Sequence, residues 1–298
     1  MATDTIAKGT SSAFAQKVAD YQSLVKLRLS LTVVFSSVMA YLIAANGSVE
    51  WLSVGMLAFG GFMVTGAANA LNQVLEKDYD KLMARTADRP LATGRMATSE
   101  AVLAAGLMSL GGITLLAMFN PLTAFLGMVA LLSYAYLYTP LKRVSPIAIT
   151  VGAFPGALPT LIGCVAVEGE ITMLGLALFS IQFIWQFPHF WAIGWLGHDD
   201  YKKAGYKFLS SPNGERDQTT GLQSFIYASI LVPLGILPFY LGVAGVISAI
   251  IAVVLAITYA IMGWNLYQKC NRKAALQLMF ASFFYIPIVF VAFYLDKI

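Results

Sequence analysis

Nine runs of about twenty apolar residues recur through this chain, and they decide the solvent in which it folds. A bilayer's hydrocarbon core is about 30 Å thick, and a helix rising about 1.5 Å per residue needs about 20 residues to cross it. The runs lie at approximately 27–45, 52–75, 101–119, 121–138, 147–167, 171–194, 222–242, 245–267 and 275–295. In lipid every backbone N–H and C=O must find a partner within the protein, so such runs fold as helices. The expectation is an all-α polytopic membrane protein, a bundle of nine transmembrane helices. The stretch 222–267 is too long for one crossing, and Gly242 and Gly245 offer a turn inside it. Composition agrees: 58% of the residues are hydrophobic and 11% charged, against about 25% charged in a soluble domain. The polar start, 1–20, lacks the apolar stretch of a cleaved signal. Cys164 and Cys270 sit in or beside apolar runs and read as packing residues.

The net charge of +4 is explained by topology, with no need of nucleic acid. Lys8, Lys17, Lys26 and Arg28 precede or open the first run. Lys77, Lys81, Arg85, Arg89 and Arg95 follow the second, and Lys142 and Arg143 follow the fourth. Lys202, Lys203, Lys207 and Arg216 follow the sixth, and Lys269, Arg272 and Lys273 follow the eighth. Of the nineteen basic residues only Lys297 falls on the other side. The positive-inside rule makes the crowded side cytoplasmic, with the N-terminus inside and the C-terminus outside. A miscounted run would scramble this segregation.

Carboxylates gather on the same side, and near a bilayer such clusters mark function. The first cluster runs from Asn72 through Glu76 and Asp80 to Arg85 and Arg89. Asn72, Glu76 and Asp80 are spaced i, i+4, i+8, so a continuing helix sets them in one polar stripe. Amide and carboxylate oxygens suit a hard cation such as Mg²⁺ or Ca²⁺. Arg85 and Arg89 add forked donors matched to phosphate. Together these residues suit a metal-bound diphosphate; the alternative is a solvated helix end whose charges pair with each other. The second cluster follows the sixth run: Trp185-Gln186-Phe187-Pro188-His189-Phe190, then His198, Asp199, Asp200, Tyr201 and Lys202. Asp199 and Asp200 offer a second set of metal ligands, or simply a loop of mixed charge. His189 lies within an aromatic, apolar stretch and needs a partner there, whereas His198 stands among charges and reads as surface. Tyr138-Thr139-Pro140-Leu141-Lys142-Arg143 forms another basic corner.

The stretch Asn72 to Leu91 resembles the first acidic motif of the UbiA superfamily of intramembrane prenyltransferases, Asn-x-x-x-Asp-x-x-x-Asp, with Glu76 in the middle position. Met83-Ala84-Arg85-Thr86 with Arg89-Pro90-Leu91, the basic corner, and above all Trp185 to Phe190 are similar to the heme O synthase branch of that superfamily. Gly156-Ala-Leu-Pro159-Thr-Leu-Ile-Gly163 and Asp200-Tyr201 ahead of Gly205-Tyr206 agree. The likeness covers about 22–295, which divides the chain into a polar N-terminal segment, 1–21, and a prenyltransferase membrane domain, 22–298. Two departures are visible: Asp199 and Asp200 are adjacent where many relatives space two aspartates four apart, and Lys26-Leu27-Arg28 stands in place of Lys-Pro-Arg.

The resemblance implies farnesyl diphosphate and heme B as substrates, heme O and pyrophosphate as products, and Mg²⁺ as cofactor. It implies a metal held by Asn72, Glu76 and Asp80 with Asp199 or Asp200. Arg85, Arg89, Lys142 and Arg143 then face the leaving group, and His189, Tyr201 and Lys202 face the heme, His189 as a contact or axial ligand to its iron, or else as a hydrogen-bond tie to a neighbouring helix. It further implies a bacterial inner membrane, active-site loops on the cytoplasmic side, and delivery of product to a heme A synthase or to terminal oxidase assembly. A related prenyltransferase acting on a quinone or chlorophyll precursor shares the first motif. A transporter is the non-enzymatic alternative, but its ionisable residues belong near the midplane on broken helices.

Overall fold

The computed structural model describes residues 2–209 and 214–298. Among them the chain is all helical: α1 Ala2–Leu24, α2 Leu27–Ala44, α3 Trp51–Asp80, α4 Thr98–Ala117 and α5 Pro121–Leu132. A π-helical turn, Ser133–Tyr138, carries α5 into the short α6, Thr139–Leu141. There follow α7 Ala148–Glu168, α8 Met173–Leu196, α9 His198–Lys203, α10 Gln218–Tyr240, α11 Val246–Lys269 and α12 Arg272–Leu295. Every apolar run of the sequence is a helix. Eight of them, counting α5 through α6 as one, are long and apolar enough to cross a membrane. The other, α8, has 24 residues, but Gln182, Gln186 and His189 lower its hydropathy. The polar N-terminal segment, expected only as polar, also becomes helix α1.

Side-chain oxygens close several helix starts, where four N–H groups lack intrahelical partners. Asn120 accepts from Thr123 N at 2.8 Å for α5, and Asn271 from Ala274 N at 3.0 Å for α12. The closest packing pairs α10 with α11, α3 with α4, α2 with α7 and α7 with α8. Small residues make the α7 contacts possible. A Cβ on Gly156 would fall 2.0 Å from Gln186 Oε1, and one on Gly152 would fall 2.5 Å from the Tyr138 ring.

Long-range polar contacts sort the bundle into two ends. At one, Arg95 Nε donates to Asp20 Oδ1 at 3.0 Å and Lys17 pairs with Glu100 at 2.8 Å, tying α1 to the segment around the start of α4. At the other, Gly245 N donates to Asp296 O at 2.7 Å, and the Lys297 ammonium reaches the Ala45 carbonyl. Lys297, the one basic residue set apart in the sequence, thus lies with the turn after α2 and the turn between α10 and α11. The chain is an integral, multi-pass membrane protein.

Candidate active site

The last three turns of α3 carry the polar stripe, and all of it is buried: Asn72, Glu76 and Asp80, extended by Asn69 and Gln73. A cation meets each of the three expected ligands. Lys26 Nζ donates to Asn72 Oδ1 at 2.7 Å. Lys142 Nζ donates to Glu76 Oε1 at 2.8 Å. Arg89 Nη1 sits 2.8 Å from both oxygens of Asp80. Asn72 Nδ2 also donates to Thr139 Oγ1 at 3.0 Å, and Thr139 Oγ1 donates to the Tyr134 carbonyl at 2.9 Å. Those last two bonds depend on the π turn, which precedes Pro140; proline has no N–H with which to continue a helical ladder. Widened turns of this kind often stand at functional sites.

Lys26 is noted in the sequence for its charge and for the Lys26-Leu27-Arg28 stretch, not as a site residue. It occupies the joint between α1 and α2 with φ 48° and ψ 58°, a left-handed conformation that costs a non-glycine residue on the order of 1 kcal/mol. The turn aims its long side chain at α3. Burial, then the neighbouring Arg89 and Lys142 cations, hold its ammonium well below the ordinary lysine value. An anion arriving at this place relieves that repulsion. Tyr206 stands beside Glu76, and burial together with that carboxylate pushes its phenol up, keeping it protonated.

Arg85 and Arg143 form an outer ring. Arg85 Nη2 donates to Tyr201 OH at 3.3 Å, and the Arg143 guanidinium lies 3.9 Å from the Tyr79 ring centroid. The Arg85–Tyr201 bond brings the α9 loop over the α3–α4 loop, and Met83, Ala204 and Tyr206 pack together beneath it. The two acidic clusters therefore share one end of the bundle. Within the second, Asp199 pairs with Arg216 at 3.0 Å and Asp200 with Lys203 at 3.3 Å. Lys202 pairs with Glu215, as does His198 Nε2, at 3.0 Å. His198, expected at the surface, is only 8% exposed and bonds Glu215. Among the described residues no three or more Asp, Glu, His or Cys side chains gather closely enough to hold one metal ion. Glu76 and Asp80 come together with the Asn72 amide; Asp199 and Asp200 keep their own basic partners.

Against the polar end lies a cavity of about 330 Å³, walled by residues of α2, α3, the π turn, α7, α8 and α12. Asn69, Tyr134 and Tyr138 line the side nearest the cations, and Lys142 Nζ lies 4.5 Å from the Tyr138 ring centroid. Gln182, Gln186 and His189 line the α8 wall. Tyr201 and Lys202 do not reach this cavity; they line a second one with His198 and Lys207.

Residues 33–286 match the UbiA prenyltransferase family. The chain belongs to that family. Among curated proteins it is 46% identical to the protoheme IX farnesyltransferase of Cytophaga hutchinsonii, over 95% of this chain and 99% of that one. It is 42% identical to the protoheme IX farnesyltransferase of Flavobacterium psychrophilum, over 93% and 94%. Solved structures share the fold. A digeranylgeranylglyceryl phosphate synthase superposes with a TM-score of 0.78 at 20% identity, covering 94% of this chain and 98% of that one. A UbiA homologue from Archaeoglobus fulgidus bound to GPP and Mg²⁺ gives 0.67 at 16%, covering 92% and 99%.

Hard oxygen donors buried beside an excess of cations fit a magnesium diphosphate. Two carboxylates, Glu76 and Asp80, face Lys26, Arg89 and Lys142 directly, with Arg85 and Arg143 outside them. The set lacks the soft sulfur ligands that select other metals.

Proposed function

We propose that this UbiA prenyltransferase is a protoheme IX farnesyltransferase, joining the farnesyl group of farnesyl diphosphate to a vinyl carbon of heme B to give heme O and pyrophosphate. One observation carries this reading: several curated protoheme IX farnesyltransferases match nearly the whole chain at 40–46% identity. The same observation favours heme over a quinone or chlorophyll precursor as acceptor.

Chemically, the allylic C1–O bond of farnesyl diphosphate breaks and its electron pair leaves with pyrophosphate. The vinyl carbon bonds to C1, water adds to the resulting cation, and a proton departs. Asn72, Glu76 and Asp80 would hold Mg²⁺, which supplies Lewis-acid neutralisation of the diphosphate. Lys26, Arg89 and Lys142 then turn from the ligand oxygens to the phosphate oxygens, where negative charge develops. Arg85 and Arg143 cover the same charge from outside. Asp200 is the half-buried member of its pair, with a side chain 30% exposed against 73% for Asp199; we assign it to the far side of the diphosphate. The aromatic and aliphatic cavity walls take the isoprenoid body and exclude water until the carbon–carbon bond has formed. No protein nucleophile is required.

In this reading the whole region 22–298 is one catalytic unit with nine spans, α8 included, in a bacterial inner membrane with the polar end cytoplasmic. Heme O passes on to a heme A synthase or to oxidase assembly. Purified protein incubated with heme B, farnesyl diphosphate and Mg²⁺ is expected to yield a porphyrin heavier by farnesyl plus hydroxyl. A prenylated quinone precursor, with heme unchanged, would contradict the assignment.

A further inference from the structure

We propose that Ser282 on α12 is a positioning residue that fixes the tautomer of His189, leaving the bare Nε2 of that imidazole to take the iron of the porphyrin acceptor. The inference rests on the heme reading above and adds to it a residue that determines how the acceptor is held.

The argument is one of proton counting. A serine hydroxyl has one proton to give, and that of Ser282 goes to the Met279 carbonyl one turn back on α12. His189 Nδ1 lies 2.8 Å from Ser282 Oγ. With its proton given there, Oγ keeps its lone pairs for Nδ1, and in the proposed arrangement Nδ1 carries the hydrogen. A neutral imidazole protonated at Nδ1 has its lone pair on Nε2, and among the described residues Nε2 has no hydrogen-bond partner. His189 lines the main cavity.

Ser282 fixes the ring's orientation as well. Trp185, one turn before His189 on α8, stacks on the imidazole with centroids 5.0 Å apart and planes 18° apart. Its indole N–H donates to the Ser282 carbonyl at 2.8 Å. Tyr259 OH on α11 donates in turn to the Trp185 carbonyl at 3.3 Å. One fully buried serine thus holds the imidazole by its hydroxyl and the stacking indole by its carbonyl. Histidines that ligate metal ions almost always donate their other ring N–H to such a partner, and loss of that partner costs about 10–100-fold in affinity or activity.

A merely structural role, a hydrogen bond tying α8 to α12, is separated by the choice of variants. Asparagine at position 189 keeps an N–H where Nδ1 stood but has no second nitrogen. The full-length protein in detergent is titrated with heme B without farnesyl diphosphate, following the Soret band and, in the ferrous state, the iron–histidine stretch. Wild type is expected to show histidine ligation. His189→Asn should lose that signature and at least about tenfold in heme affinity, with its melting temperature kept. Ser282→Ala should keep the ligand but weaken affinity about tenfold and shift the stretch, and Ser282→Thr should restore both. A His189→Asn protein indistinguishable from wild type would overturn the proposal, as would wild-type spectra from Ser282→Ala. Should Ser282→Ala fail to fold, His189→Asn and Ser282→Thr still decide between ligation and a structural tie. If wild type neither binds heme nor prenylates it, the heme reading fails rather than the role of Ser282.

Discussion

Lys142 and Glu76 stand 66 residues apart in sequence, yet their side chains meet at 2.8 Å and both are more than nine-tenths buried. An ion pair at such depth contributes little net stability while both partners remain, because desolvation offsets their attraction. Removal of one partner is a different matter. Lys142→Met takes away the ammonium bonded to Glu76 and leaves that buried carboxylate without its direct partner, which costs about 3–5 kcal/mol. Thermal unfolding of the purified protein should show a clear loss for Lys142→Met and recovery in Lys142→Met/Glu76→Gln. Activity should be lost in both. Equal unfolding temperatures for wild type and Lys142→Met would refute the pairing.

Metal dependence follows from the oxygen donors on α3. Chelation with EDTA should abolish turnover, Mg²⁺ should restore it, and Zn²⁺, which prefers nitrogen and sulfur, should restore little. In Asp80→Asn the concentration of Mg²⁺ needed for half-maximal rate should rise, with kcat down about 100-fold. An unchanged Mg²⁺ requirement in that variant would separate Asp80 from the metal.

Gly156 allows the cavity wall to close. An alanine there sets its methyl 2.0 Å from Gln186 Oε1, whereas an alanine at Gly106, away from the cavity, meets nothing within 4 Å. Gln186 is buried and held by the Ala153 carbonyl at 3.0 Å, so it cannot yield freely. Gly156→Ala should cost about 1–3 kcal/mol and most of the activity, while Gly106→Ala leaves both near wild type. Denaturation and turnover of the two variants, measured side by side, provide the comparison.

The adjacent aspartates should behave unequally. Asp199 is largely exposed and its partner is Arg216; exposed pairs of this kind contribute about 0–1 kcal/mol. Asp199→Asn should leave turnover within a few-fold of wild type, and Asp200→Asn should reduce it about 100-fold. The reverse order would move the second diphosphate contact to Asp199.

Much of this was legible in the sequence because its causes are local. Run length against bilayer thickness gave the helices, and the i, i+4, i+8 spacing of Asn72, Glu76 and Asp80 gave the polar stripe on α3; its burial comes from packing. Segregation of the basic residues placed the Asp199–Tyr201 loop at the same end as that stripe, and the Arg85–Tyr201 bond joins them there. What was hidden depends on contacts between distant segments. Lys26 looked like an ordinary topology signal; only its left-handed turn and its bond to Asn72, 46 positions on, reveal it as part of the site. The π turn that aims Thr139 leaves no trace in an apolar run, although Pro140 hinted at a break. His198 reads as surface because its neighbours are charged, yet in the fold it is buried and bonds Glu215, a residue that comes 17 positions later. Ser282, a lone hydroxyl among apolar residues, is indistinguishable by pattern from a serine that bonds its own helix.

Joint neutralisation of the two α3 carboxylates is the most direct test of the central claim, that a magnesium diphosphate is gripped at the buried end of α3. Glu76→Gln/Asp80→Asn protein, shown to be folded, is incubated with heme B, farnesyl diphosphate and Mg²⁺, and pyrophosphate release and heme O are quantified together. The account predicts that both products vanish while heme binding persists. Heme O formed at the wild-type rate would contradict it.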